Sequence, residues 1–130
     1  MIDKIAWLHL RDGRILSTRS RGKSVFYLPG GKREAGETDT ETLVREVREE
    51  LTVEITAASI ASAGVFEAQA DGHKAGVVVR MTCYTAEFTG TLAASSEIDE
   101  VAWLGYADRD RVSAVDKIIF DHLRKTGLLR

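Results

Sequence analysis

The chain has 130 residues, 18 Lys and Arg against 20 Asp and Glu, a formal net charge of −2, and 44% apolar positions. This profile fits one soluble globular domain spanning residues 1–130 and excludes a generally basic nucleic-acid binder. A single cysteine, Cys83, excludes an internal disulfide or a cysteine-rich zinc site. No apolar run approaches the ~20 residues of a membrane span, and no N-terminal stretch has signal-peptide order, so a cytoplasmic protein without membrane or nucleic-acid-polymer partners is expected.

In chain order, residues 4–10 and 14–19, joined by Asp12-Gly13, predict a hairpin carrying Ile5, Trp7, Ile15 and Leu16. A short strand at 25–28 follows, ended by Pro29, the only proline, and by Gly30-Gly31. A helix is predicted over about 39–51, because Thr38 followed three residues later by Glu41 is a capping box. Strands are expected at 53–55, 59–70, 76–88 and 100–104, with Asp71-Gly72 as a turn. In 76–88 the phase Val77, Val79, Met81, Cys83 alternates with Val78, Arg80, Thr82, Tyr84, a pattern for a strand buried on both faces or central in a mixed sheet. A last helix over about 111–125 carries Val112, Val115, Ile118, Ile119 and Leu123 at helical spacing, with Gly127 as its stop. Two helices among many strands predict helices packed on a mixed sheet.

The small net charge averages over two unlike segments. Residues 1–33 carry eight basic groups against Asp3 and Asp12, and residues 34–54 carry eight acidic groups against Arg45 and Arg48. On the 39–51 helix, Glu46, Glu49 and Glu50 are spaced i, i+3, i+4 and share one face, beside an apolar stripe of Leu43, Val44, Val47 and Leu51. Clustered like charges near a helix C-terminus are unfavourable. Two compensations are open: Arg45 and Arg48 neutralise a solvated face, or the carboxylates bind a hard divalent cation beside the Gly30-Gly31 loop.

From Gly31, five residues lead to Glu37, seven more to Arg45-Glu46-Val47-Arg48-Glu49-Glu50-Leu51-Thr52-Val53. This resembles the Nudix box, Gly-x5-Glu-x7-Arg-Glu-U-x-Glu-Glu-x-Gly-U with U aliphatic, and Leu28-Pro29-Gly30-Gly31-Lys32 is similar to its entry in MutT-like members. The departure is Thr52 in place of the late glycine. A β-branched residue does not readily take positive φ, so a helix end without the usual glycine cap is expected.

The resemblance implies an α/β/α sandwich around a mixed sheet, and hydrolysis of a nucleoside diphosphate linked to another group, with Mg²⁺ or substituting Mn²⁺. It implies Glu46, Glu49, Glu50 and the Gly30 carbonyl as metal ligands, with Glu46 or Glu49 active in catalysis. It gives Gly31 a motif role and makes Glu37 and Arg45 an ion pair that fixes the loop and orients a catalytic glutamate. MutT-like members also use a carboxylate shortly before a tryptophan-bearing strand; Glu97, six residues before Trp103, fits that position as ligand or base, and Glu100 is the alternative.

Arg19, Arg21, Lys23, Lys32 and Arg33 flank the entry strand and are candidates to hold phosphates. Phe26, Tyr27 and Trp7 could stack on a base or belong to the core. His9, His73 and His122 share no spacing, and Cys83 reads as a buried thiol. Markers of ADP-ribose and diadenosine-polyphosphate subgroups are missing near Gln69 to Asp71. The expected substrate is therefore an NTP or dNTP cleaved to the monophosphate and pyrophosphate, by a monomer or homodimer. Another diphosphate compound, or a non-catalytic nucleotide-sensing module, are the alternatives.

Overall fold

The computed structural model describes residues 1–130. A four-stranded sheet has the order β4 (Gly30–Gly31), β1 (Ile2–Trp7), β7 (Val78–Thr85), β6 (Ala61–Gln69). It is mixed, because β1 and β7 run parallel while β4 and β6 pair antiparallel with their neighbours. A second sheet joins β2 (Leu10–Arg11), β3 (Arg14–Ser20) and β9 (Ile98–Leu104), and β5 (Glu54–Ile55) pairs with β8 (Phe88–Thr89). Helices α1 (Asp39–Leu51) and α2 (Ala114–Lys125) complete the fold. No helix is long and apolar enough to cross a membrane.

The strand period of two sets the layering. Ile5 and Trp7 enter one core with Leu43, Val47 and Leu51 of α1, whereas Ala6 and Leu8 enter the other with Val115, Ile119, Phe120 and Leu123 of α2. The helices therefore cover opposite faces of the sheet, which is the sandwich expected from the box. Helix α1 begins as predicted: Thr38 Oγ1 accepts from the Glu41 N–H, and Glu41 Oε1 accepts from the Thr38 N–H.

Several elements differ from the sequence reading. The first predicted hairpin is divided between two sheets, because the chain turns out of the β1 ladder at Leu8-His9; only Leu10–Arg11 pairs back on Arg14–Ile15. Residues 25–28 form no strand. Phe26 and Tyr27 make single bridges to Val112 and Thr18, and the ladder resumes at Gly30–Gly31 against Ile5 and Ala6. The long 76–88 strand is two strands, since Phe88–Thr89 leaves β7 to pair with β5. In β7, Val79, Met81 and Cys83 are buried while the alternate phase is half-exposed. Helix α2 starts at Ser113, whose side chain caps Asp116 N–H; Val112 lies before it in a bridge to Phe26, and Ile118 faces outward at 41% exposure.

Thr52 overturns the expectation drawn from its side chain. It adopts φ 62° and ψ 22°, the left-handed cap that glycine normally fills, and its N–H donates to Arg48 O at 3.0 Å. The hydroxyl donates to Thr91 O at 3.2 Å, and the orphan helix carbonyl is satisfied, so the cap forms despite the steric cost of a β-branched residue.

Candidate active site

The chain from Pro29 to Thr38 crosses the end of β1 and enters α1, so it brings backbone groups against the acidic face of that helix. Gly30 has φ +142°, and a Cβ there would lie 1.9 Å from Ile5 O. At Gly31 a Cβ would lie 2.6 Å from the Glu46 carboxylate. Glycine at both positions lets the loop lie directly on β1 and on the acid.

Arg45 fastens this loop to the helix. Its Nε and Nη2 reach the two oxygens of Glu37 at 2.6 and 2.9 Å, Nη2 donates to Lys32 O at 3.1 Å, and Nε stands 2.8 Å from Glu34. Nη1 donates to Glu46 Oε1 at 2.9 Å and lies 3.5 Å from Glu49. The hydrogen bond with Glu37 raises the Arg45 pKa, and the same bond holds the Glu37 carboxyl at about 2. Arg48 instead pairs with Glu54, away from the loop.

The three helix glutamates share a face but not an environment. Glu50 is 7% exposed, accepts from the Gly30 N–H at 3.0 Å, and is pushed up to about 8 by burial, with Glu46, Glu97 and Glu49 adding repulsion. Burial also raises Glu46, against the pull of Arg45. Glu49 is the exposed member, with 51% of its side chain open to water. Glu46, Glu50, Gly30, Gly31 and Glu97 all line one cleft of about 470 Å³. The Ser96 hydroxyl donates to Glu97 at 2.6 Å and keeps its carboxyl low, hence ionised. Glu100 accepts from Arg19 Nε at 3.2 Å and does not line the cleft.

These donors are all hard oxygens, the set that suits Mg²⁺ or Mn²⁺. No three acidic side chains are already gathered about one point. Arg45 is the cation between Glu46 and Glu49. The fit to a divalent ion rests on Glu50: a desolvated carboxylate with three acidic neighbours is stabilised in its charged form by a nearby cation.

Of the five basic residues expected near phosphates, Lys32 and Arg33 border the cleft, while Arg19, Arg21 and Lys23 do not. Arg19 is held by Asp99, Glu100 and Lys23 O; Arg21 donates to Ser96 O at 3.0 Å, beside Glu97. Trp7 is wholly buried and Phe26 nearly so, leaving Tyr27 as the aromatic side chain that reaches the cleft. Sequence reasoning missed Lys4. Its Nζ lies 5.6 Å from the Tyr27 ring centroid, forms no ion pair, and borders both the cleft and an adjoining cavity of about 70 Å³. A partial signal was present: Lys4 directly precedes Ile5, Ala6 and Trp7, a run buried on both faces of β1.

Comparisons with known proteins bear on the family and the fold. A model of the NUDIX domain matches residues 4–123. No curated protein sequence matches the chain. Among solved structures, the ORF135 protein of E. coli is 26% identical, with a TM-score of 0.73 over 95% of this chain and 91% of that one. The MutT protein of Bacillus halodurans is 24% identical, TM-score 0.73, over 95% and 82%. A Francisella tularensis bifunctional NMN adenylyltransferase/ADP ribose pyrophosphatase, complexed with AMP and a Mn ion, is 19% identical, TM-score 0.68, over 95% of this chain and 41% of that longer one; the last two likenesses concern the fold. Because the matched region runs from Lys4 in β1 to Leu123 in α2 and takes in nearly the whole fold, the chain belongs to the NUDIX family.

Proposed function

We propose that this protein is a pyrophosphate hydrolase that cleaves nucleoside or deoxynucleoside triphosphates to the monophosphate and pyrophosphate, with Mg²⁺ or Mn²⁺ held by Glu46, Glu49, Glu50, Glu97 and the Gly30 carbonyl. The observation that carries the reading is the buried Glu50 carboxylate, which lines one cleft with Glu46 and Glu97 where Gly31 leaves no Cβ against Glu46. A bound divalent cation would supply charge neutralisation for the phosphates during displacement at phosphorus.

The protein's own groups do the rest. Arg45 holds Glu46 at the cleft wall, and burial makes the Glu46 carboxylate a stronger proton acceptor than an exposed acid. Glu46, held by Arg45 at the cleft wall, is a candidate base for the attacking water, and Glu97, kept ionised by Ser96, would add negative charge toward a bound cation. As the new O–P bond forms, the P–O bond to the leaving pyrophosphate breaks. Lys4 and Lys32, neither in an ion pair, are free to meet phosphate oxygens. The adjoining cavity, between Tyr27, Met81, Val79 and Val115, offers an apolar wall and an aromatic face to a base.

The test is a substrate panel of NTPs, dNTPs, ADP-ribose, a nucleotide sugar and a dinucleoside polyphosphate, with Mg²⁺ or Mn²⁺, read by product chromatography. Preferential release of pyrophosphate from triphosphates supports the reading. Turnover confined to the other compounds would overturn the substrate, and binding without turnover of any would indicate a nucleotide sensor.

A further inference from the structure

Arg33 lies two residues beyond Gly31 and borders the cleft, yet its guanidinium is already committed. Nη1 reaches Asp39 Oδ1 at 2.6 Å and Nη2 reaches Asp3 Oδ2 at 2.5 Å. Asp39 is the first residue of α1, and its other oxygen accepts from the Tyr84 hydroxyl of β7 at 2.5 Å. Asp3 belongs to β1, and its second oxygen is buried without a partner, so Arg33 is its one polar contact. One side chain thus ties the loop to a strand and to the helix start, and through Tyr84 to a second strand. The two Arg33 bonds are charge-assisted but open to water, and the Tyr84–Asp39 bond is the part-buried member of the network.

We propose that Arg33 is a positioning residue: with Asp3, Asp39 and Tyr84 it sets the Gly30-Gly31 backbone against Glu46 and Glu50, and it is not a phosphate ligand. Arg45 fixes the loop from the helix side, through Glu37 and Lys32 O; Arg33 fixes it from the sheet side. Gly30–Gly31 are also paired with β1, so cutting the Arg33 tie removes one of the two side-chain anchors of the chain that follows them and loosens the loop where Gly31 meets Glu46. A bidentate fork is needed because the two carboxylates are met by different nitrogens, which one ammonium cannot reproduce.

The inference rests on the cleft being a cation site, so the readout is Mn²⁺ binding to nucleotide-free protein, followed by electron paramagnetic resonance. Arg33→Met should weaken Mn²⁺ binding about tenfold or more, the range found when groups supporting metal ligands are removed. Amide exchange across residues 30–36 should quicken in the same variant. Arg33→Lys should recover only part of the affinity. Asp39→Asn should weaken binding as well, and adding Arg33→Met to it should cost less than in the wild type, because both cut one network. Tyr84→Phe, which leaves every charge in place, keeps the test open if the arginine variant folds poorly, and should weaken binding to a smaller extent. Equal Mn²⁺ affinity in wild type, Arg33→Met and Tyr84→Phe, with a raised KM for nucleotide in the arginine variant, would make Arg33 a phosphate ligand and overturn the proposal alone. Absence of Mn²⁺ binding by the wild type would overturn the cation reading together with it.

Discussion

The Gly30 N–H donates to Glu50 Oε1 at 3.0 Å, joining the loop that precedes α1 to a carboxylate in the last turn of that helix. This bond offsets only part of the cost of burying an acid there, because the carboxyl still titrates at about 8. Glu50→Gln should therefore separate stability from function. The folded pKa lies above the unfolded value of about 4.3, so the contribution of Glu50 to stability is full below that pH and is lost as pH rises through about 8. Without divalent cation, the variant should be more stable than wild type at about pH 9, by up to a few kcal/mol, and similar to it near pH 4. Added Mg²⁺ should stabilise the wild type and not the variant, whose hydrolysis falls by orders of magnitude. Urea titrations at the two pH values check this; a variant less stable than wild type at high pH would contradict it.

Glu97→Gln should lower kcat about 100-fold or more, whereas Glu100→Gln should stay within about twofold of wild type. The difference follows from placement: Glu97 lines the cleft beside Glu46 and Glu50, and Glu100 is taken up by Arg19. Steady-state rates with saturating Mg²⁺ decide it, and comparable losses in both variants would remove Glu97 from the site.

Thr52→Gly should stabilise the fold. Relief of a left-handed β-branched residue is worth about 1 kcal/mol, and the hydroxyl bond given up is exposed and long at 3.2 Å. A gain of about 3–5 °C in thermal midpoint is expected for a chain of this length. A lower midpoint would mean that the contact with Thr91 matters more than the backbone strain.

Asp116, in the first turn of α2, is fully buried. Its Oδ2 accepts from the Leu28 N–H at 3.0 Å while Oδ1 has no partner, and burial lifts the carboxyl to about 7. The folded pKa is again the higher one, so the stability associated with Asp116 is present below about pH 4 and lost as pH rises through about 7. Asp116→Asn retains the acceptor for Leu28 and removes the charge. It should flatten the fall in stability between about pH 4 and 7 and raise stability at about pH 8 by an amount of order a kcal/mol or more. Denaturation midpoints across that range are the measurement; an unchanged pH slope would show that other groups carry it.

Local patterns were legible where neighbouring residues determine the outcome. The α1 boundaries, its capping box and the shared face of Glu46, Glu49 and Glu50 follow from spacings within one helix, and the pairing of Arg45 with Glu37 was implied by the resemblance to the Nudix box. Strand partners were less legible. The chain at Leu8-His9 carries no turn residue, yet it passes from one sheet to another, because β1 gains a parallel partner more than 70 residues away. Nothing in residues 25–28 signals that their backbone is used in single bridges rather than a ladder.

Charge shows the same division. By itself the sequence determined that a basic segment adjoins an acidic one, that eight of nine box positions are met, and that a carboxylate-bearing helix follows a glycine loop. Only the tertiary structure decided which charges answer which. Arg19 turns to Asp99 and Glu100, Arg21 turns to Ser96, Arg33 turns to Asp3 and Asp39, and Lys4, at the half-buried start of β1, comes to stand in the cleft. The physical reason is range: helix periodicity and capping act over a few residues, whereas an ion pair depends on where distant strands are brought together. Burial completes the distinction, because three chemically equal glutamates became one exposed, one largely covered and one nearly dry acid only when α1 packed against the sheet.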